Sequence, residues 1–160
     1  ILCKLNTFFS IFAKKKQMIN INVERVDNEI GFLAIDSFGN KLKMDAAAEF
    51  GGNNNGIRPM QTLLMALAGC SGIDIVNILK KQKQSIAIFK IQVQGEREPN
   101  KEPSLWKNVH INFQFSAEVD IEKAKKACTL SIEKYCSVAA TLRAAGCLIT
   151  FNVETILNEI

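Results

Sequence analysis

The sequence has no CxxC spacing, no second histidine and, beyond its first residues, no excess of charge of either sign. Each absence closes a class of function. Five cysteines, an odd number without CxxC spacing, suit neither a secreted disulfide framework nor a ribbon-type zinc site. The one histidine, His110, cannot build a histidine-based metal centre alone. Lys4, Lys14, Lys15 and Lys16 are the only charged residues before Met18; the rest of the chain carries sixteen basic and sixteen acidic side chains. No basic stripe with interleaved aromatics is left, so no nucleic-acid partner is expected. The apolar stretch Leu5–Ala13 is too short to span a bilayer. Its lysine cluster follows the apolar part, the wrong order for a secretory signal. No membrane association is expected, and neither an internal repeat nor an interdomain linker is visible.

What remains is the composition of an ordinary globular protein: 160 residues, 48% hydrophobic and 22% charged, enough for one domain with a real core. Met18 offers a plausible start. Residues 1–17 are therefore read as an appendage, an artefact of an upstream start or a remnant of expression, and residues 18–160 as a single domain. Reduced thiols point to the cytoplasm.

Alternation of apolar and polar residues predicts strands at Ile19–Val26, Glu29–Asp36 and Lys41–Asp45, with a hairpin turn at Phe38-Gly39-Asn40. Phe50–Gly56 (FGGNNNG) is a loop by composition. RPMQTLLMALAGCSGIDIVNILKKQK then reads as one long helix, with Pro59 in its first turn and Lys80, Lys81 and Lys83 near its end. From Leu63 to Cys70 it is apolar on every side, which predicts burial all round. Ser71, Asp74, Asn77 and Lys81 form a polar stripe farther on, and Asp74 with the two glycines argues for a core helix over a membrane span. Strands follow at Ile86–Arg97 and Val109–Ala117. Asp120 caps a helix whose Ile121, Ala124, Cys128, Ile132 and Tyr135 share one face. Cys136 and Ser137 open a short helix ended by Gly146, and Cys147–Thr155 is a closing strand. Strands and helices come in blocks, so the fold class is α+β with an antiparallel sheet.

Three cysteines have ordinary explanations. Cys3 lies in the appendage, while Cys128 and Cys147 sit at core positions where a thiol acts as a small hydrophobe. Cys136 stands at a helix start, where the partial positive charge favours a thiolate. Cys70 is flanked by Gly69 and Gly72, expected to leave open space beside the thiol, and Asp74 follows one turn later on the same face. Local electrostatics alone makes Cys136 the more acidic of the two.

The segments RPMQTLLMALAGCSGIDIVNILKK and SIEKYCSVAATL, in order and 66 residues apart from Cys70 to Cys136, resemble the two cysteine motifs of the OsmC/Ohr family. The likeness extends from about Met18 to the C-terminus and includes VHINFQF and the GERE loop. It is greatest to the uncharacterised OsmC-like branch with a Cys-Ser-Val-Ala second motif. The resemblance implies an intertwined homodimer, with antiparallel sheets around long central helices and active sites at the subunit interface. It implies reduction of organic hydroperoxides in oxidative-stress defence, by a thiol peroxidase without cofactor or metal. Cys70 is then the attacking thiol that becomes a sulfenic acid. Cys136 resolves it to a disulfide, and an external dithiol reduces that bond. The order suggested by local electrostatics is thereby reversed, since an arginine distant in sequence can override a helix-terminus effect of about 1 kcal/mol or less.

One departure from the family pattern stands out. Active members carry a glutamate just after the motif proline, where it holds the catalytic arginine; here Met60 and Gln61 follow Pro59. Arg25 and Arg97 are the candidates for that arginine, because each continues the apolar face of its strand. His110 lies on a polar strand face and reads as a surface or dimer-interface residue. The departure at Gln61 motivates a second reading: a non-catalytic protein of the same fold that binds a small apolar ligand at the dimer interface. A third is thiol chemistry on another electrophile.

Overall fold

The computed structural model describes residues 18–156; the expected appendage 1–17, with Cys3, lies outside the described residues. The chain divides after Gly56 into two compact units.

The first unit holds a three-stranded antiparallel sheet of order β1-β2-β3, with β1 (Ile21–Arg25), β2 (Phe32–Asp36) and β3 (Lys41–Met44). The β2–β3 hairpin turns where expected. Asp36 Oδ1 accepts the N–H groups of Phe38 at 2.9 Å and Asn40 at 2.8 Å, and Gly39 supplies a φ of +85°. β2 begins later than its apolar pattern suggests, because Asp27 Oδ1 accepts the N–H groups of Glu29 and Gly31 and makes that stretch a turn. The loop after β3 is organised by the buried Asp45, which accepts from Ala46, Asn53 and Asn55 N–H.

The second unit carries the site. Its elements are α1 (Pro59–Lys81), β4 (Phe89–Arg97), β5 (Trp106–Ser116), α2 (Ile121–Leu130), a π-helical turn (Ser131–Tyr135), α3 (Ser137–Ala144) and β6 (Leu148–Ile156). β5 is the central strand. It pairs antiparallel with β4, Val93 opposite Ile111, and parallel with β6, Val109 opposite Ile149. The parallel pair departs from the all-antiparallel expectation. β6 is reached from β5 through α2 and α3, and a long crossover of this kind lets the chain return in the same direction.

Val109, Ile111, Phe113 and Phe115 alternate along β5 and are buried. Phe115 stacks on Phe89 at 4.4 Å between centroids, and Phe113 meets Phe151 edge-on at 5.9 Å. Leu67, Ile75 and Leu79 of α1 and Ala124, Ala127, Cys128, Ile132, Ala139 and Leu142 of the later helices complete this core. Each fully buried large side chain contributes about 1.5–3 kcal/mol. Trp106 Nε1–H donates to the Met60 carbonyl at 3.1 Å, tying the start of β5 to the first turn of α1.

α1 differs from expectation in one respect. Between Leu63 and Cys70 only Leu67 is fully buried; Leu63 and Met65 are 39% and 50% exposed, and Ile73 farther on is 67% exposed. The other elements of this unit cover one side of the helix and leave the opposite apolar side bare. Its length and composition would also suit a membrane span, yet Leu67, Ile75 and Leu79 belong to the core. Ser71, expected on the polar stripe, is buried with its hydroxyl on the Leu67 carbonyl at 2.7 Å.

Candidate active site

Cys70 lies in mid-α1 and is half-buried; Cys136 is 3% exposed and caps the N-terminus of α3. The fold brings the two thiols close enough for Cys70 to bear on the ionisation of Cys136. Around Cys70 the two glycines play different parts. Gly69 has open space where a Cβ would stand, as expected. At Gly72 a Cβ would come within 2.9 Å of Ile91 Cδ1, so this glycine permits close packing and is not open space.

Cys136 is set in place by the turn before it. Its N–H donates to the Ser131 carbonyl at 2.8 Å, closing the π-helical turn, and its Sγ accepts the Ala139 N–H at 3.4 Å. That second bond is the helix-terminus contact foreseen from sequence, but the acidity foreseen with it is not found. Burial pushes the Cys136 thiol from 9.0 up to about 11; the Ala139 amide pulls it down, and the adjacent Cys70 adds to the rise. Desolvation of the thiolate exceeds what one amide at a helix end returns. Burial likewise lifts Cys128 to about 12 and raises Cys147, the latter opposed by the charge of Arg143. Both are core thiols, as their strand and helix positions predict.

The π-helical turn is clamped from two sides. The buried Ser131 hydroxyl lies 3.3 Å from the Ser71 carbonyl and 3.2 Å from Asp74 Oδ2, both on α1. Arg143 of α3 donates to the Ile132 carbonyl at 2.8 Å and to Glu133 Oε1 at 2.6 Å. Ser131 opens the second motif and Arg143 directly follows it, yet sequence reasoning gave neither a role, and a regular 3.6-residue reading of the segment hides the extra residue in the turn. The same insertion turns Tyr135 out of the helix face predicted for it, leaving it 50% exposed.

Of the two candidate arginines, Arg97 is spent locally: its Nε and Nη2 donate to the Ser104 carbonyl at 3.2 and 2.6 Å. Arg25 ends β1 in the first unit, exposed and paired in register with Phe32. Among the described residues neither forms an ion pair. Gln61 Oε1 accepts the Arg58 N–H at 3.3 Å and so serves the helix start. His110 is exposed, its Nδ1 bonded to Thr150 Oγ1 at 2.8 Å and its Nε2 to Asn152 Oδ1 at 3.0 Å. Among the described residues Cys70, Cys136 and His110 do not form a metal-ligand group.

Three cavities border α1. An apolar groove of about 540 Å³ runs along Ala68, Gly72, Ile73, Val76, Phe89 and Ile91. A second, of about 370 Å³, continues it past Leu64, Met65 and Val93. A third, of about 450 Å³ and more polar than the other two, lies between α1 and the π-helical turn, lined by Asp74, Asn77, Ile78, Lys81, Gln82, Leu130 and Tyr135.

Residues 51–152 match the family described as OsmC-like protein. Protein YhfA of Escherichia coli K12 is 34% identical over 116 residues, 71% of this chain and 82% of its own. A hypothetical protein from Aquifex aeolicus shares the fold with a TM-score of 0.72 at 28% identity, over 88% of this chain and 98% of that one. An organic hydroperoxide resistance protein OsmC from Legionella pneumophila superposes with a TM-score of 0.67 at 15% identity, over 89% and 100% of the two chains. At that identity the likeness is one of fold.

Proposed function

Because the chain belongs to the OsmC-like protein family, we propose that it is a cytoplasmic, homodimeric thiol peroxidase that reduces organic hydroperoxides through Cys70 and Cys136. The observation that carries this reading is the meeting of the two thiols, one accessible and one buried. In the proposed cycle the Cys70 thiolate attacks the peroxide, the O–O bond breaks, and an alcohol leaves as Cys70 becomes a sulfenic acid. The Cys136 sulfur then displaces the hydroxyl from Cys70, its proton leaving with the water, and a disulfide forms. An external dithiol restores both thiols. The Cys136 thiol gives up its proton as it attacks, and its burial protects it from other oxidants until the sulfenic acid forms beside it.

The bare side of α1, with Leu63, Met65 and Ile73, is the face we assign to a second copy of the chain. Its apolar grooves support an organic peroxide over a small polar one. The same grooves, with Gln61 in place of the family glutamate, support the second reading of a non-catalytic protein that binds an apolar ligand.

The test is to mix reduced protein with one equivalent of cumene hydroperoxide or of hydrogen peroxide and follow free thiols and intact mass. Rapid loss of two thiols, faster with the organic peroxide and abolished in Cys70→Ser, is the expected result. Oxidation no faster than that of free cysteine would exclude peroxidase function, and a co-purifying apolar ligand would then favour the binding reading. Light scattering should give twice the chain mass.

A further inference from the structure

A ring of short contacts joins the two thiols to one carboxylate. Cys70 and Cys136 stand close to one another, and the Cys136 N–H is held by the Ser131 carbonyl at 2.8 Å. The Ser131 hydroxyl lies 3.2 Å from Asp74 Oδ2, which returns the ring to α1. Asp74 follows Cys70 by four residues on that helix, a spacing that sets Cβ atoms about 5–6 Å apart on one face. Helical side chains lean toward the N-terminus, here from Asp74 toward Cys70. Asp74 is half-buried and forms no ion pair with the described residues. Ser131 takes one of its oxygens and leaves Oδ1 for another donor.

From this arrangement we propose that Asp74 is a further catalytic residue: its carboxylate accepts a hydrogen bond from the Cys70 sulfenic hydroxyl and keeps that group protonated. The inference rests on the sulfenic acid proposed above. A neutral S–OH is the electrophile that Cys136 attacks. The ionised sulfenate resists that attack and more readily takes an oxygen from a second peroxide, which becomes its alcohol as Cys70 becomes a sulfinic acid. A carboxylate within hydrogen-bond reach disfavours the ionised form. In the resolving step the Cys136 sulfur bonds to Cys70 Sγ and the S–O bond breaks. The hydroxyl leaves with the Cys136 proton as water, the Cys136 sulfur is oxidised as the Cys70 sulfur is reduced, and Asp74 ends unchanged. Few other ionisable groups face this corner. Lys81 lies two turns farther along α1, and Tyr135 and Cys136 belong to the π-helical segment. Arg143 of α3 is engaged with Glu133, Cys128 of α2 is in the core, and β4 presents Phe89, Ile91 and Val93 to α1.

The test oxidises the reduced, full-length protein with excess cumene hydroperoxide between pH 6 and pH 9. Peptide mass spectrometry then reads Cys70 at the end point, as the disulfide to Cys136 or as sulfinic acid. The end point reports how the sulfenic acid divides, not how fast it forms, so slow oxidation counts against the peroxidase reading alone. In the wild type the disulfide should dominate at neutral pH. Asp74→Asn keeps an acceptor for Ser131 and removes the charge. In it, the pH at which sulfinic acid takes over should fall by about one unit, the effect of losing one neighbouring charge. Asp74→Ser should behave alike, whereas Asp74→Glu, which keeps the charge, should stay near the wild type. A merely loosened site lowers the disulfide yield at every pH alike. An unmoved crossover in both uncharged variants therefore overturns the proposal, as does a Glu variant that matches Asn or a wild type that yields only sulfinic acid.

Discussion

Pulsing the reduced protein with iodoacetamide between pH 7 and pH 10, and resolving the early alkylation rate of each cysteine by peptide mass spectrometry, tests how burial and a helix terminus compete at Cys136. Burial lifts this thiol from 9.0 to about 11. The difference corresponds to about 2.7 kcal/mol, and at pH 8 it reduces the thiolate from about one in ten to about one in a thousand. A helix terminus returns about 1 kcal/mol or less, so burial should win. The rate at Cys136 should therefore climb about tenfold per pH unit through pH 10, where an unshifted thiol has begun to level. Steric shielding lowers the rate at every pH alike and leaves this slope unchanged. The slope in Cys70→Ala should still persist beyond pH 9, because desolvation outranks the contribution of Cys70. Levelling at or below pH 8.5 would refute the reasoning and restore Cys136 as an activated thiol.

The same shifts bear on stability. An unfolded chain releases these thiol protons near pH 9, while folded Cys136 and Cys128 hold theirs to about 11 and about 12. Stability is complete below pH 9 and should fall between pH 9 and 11, by up to about 2.7 kcal/mol for Cys136 alone; urea midpoints should show a shallower fall in Cys128→Ala. Ser131→Ala removes a buried hydroxyl aimed at the Asp74 carboxylate, worth about 1.5–3 kcal/mol. It should lower the melting temperature and slow disulfide formation after peroxide addition. Gly95→Ala would place a Cβ 2.7 Å from the Trp106 ring and 3.0 Å from Leu64 Cδ1. An overpacking loss of about 1–3 kcal/mol is expected in chemical denaturation.

Much of the fold was legible because two periodicities carry it. The two-residue alternation of β5 and the long apolar run of α1 locate the central strand and helix, and Asp120 caps α2 through the N–H groups of Glu122 and Lys123, as its residue type predicts. The misreadings arise where a pattern is local and the outcome is not. Strand direction depends on the path of the crossover, which no alternation within β6 encodes, so the parallel β5–β6 pair was invisible. Burial of α1 on all sides follows from composition only if enough partners exist, and the other elements of its own unit cover one side. The extra residue of the Ser131–Tyr135 turn breaks the helical phase without a glycine or proline to announce it.

At the site the same distinction separates Cys70 from Cys136. The other cysteines have ordinary places, and the fold does bring these two close to one another across 66 residues of sequence. Their electrical character could not be read from neighbours in sequence. A position at a helix start specifies one hydrogen bond, to the Ala139 N–H, and that bond is present. The desolvation that outweighs it comes from residues remote in sequence, packed around a turn held by Ser131 on α1 and by Arg143. A thiol so placed is a poor first nucleophile and a well-guarded second one. The asymmetry between an accessible Cys70 and a shielded Cys136 is consistent with the order of attack and resolution proposed for them.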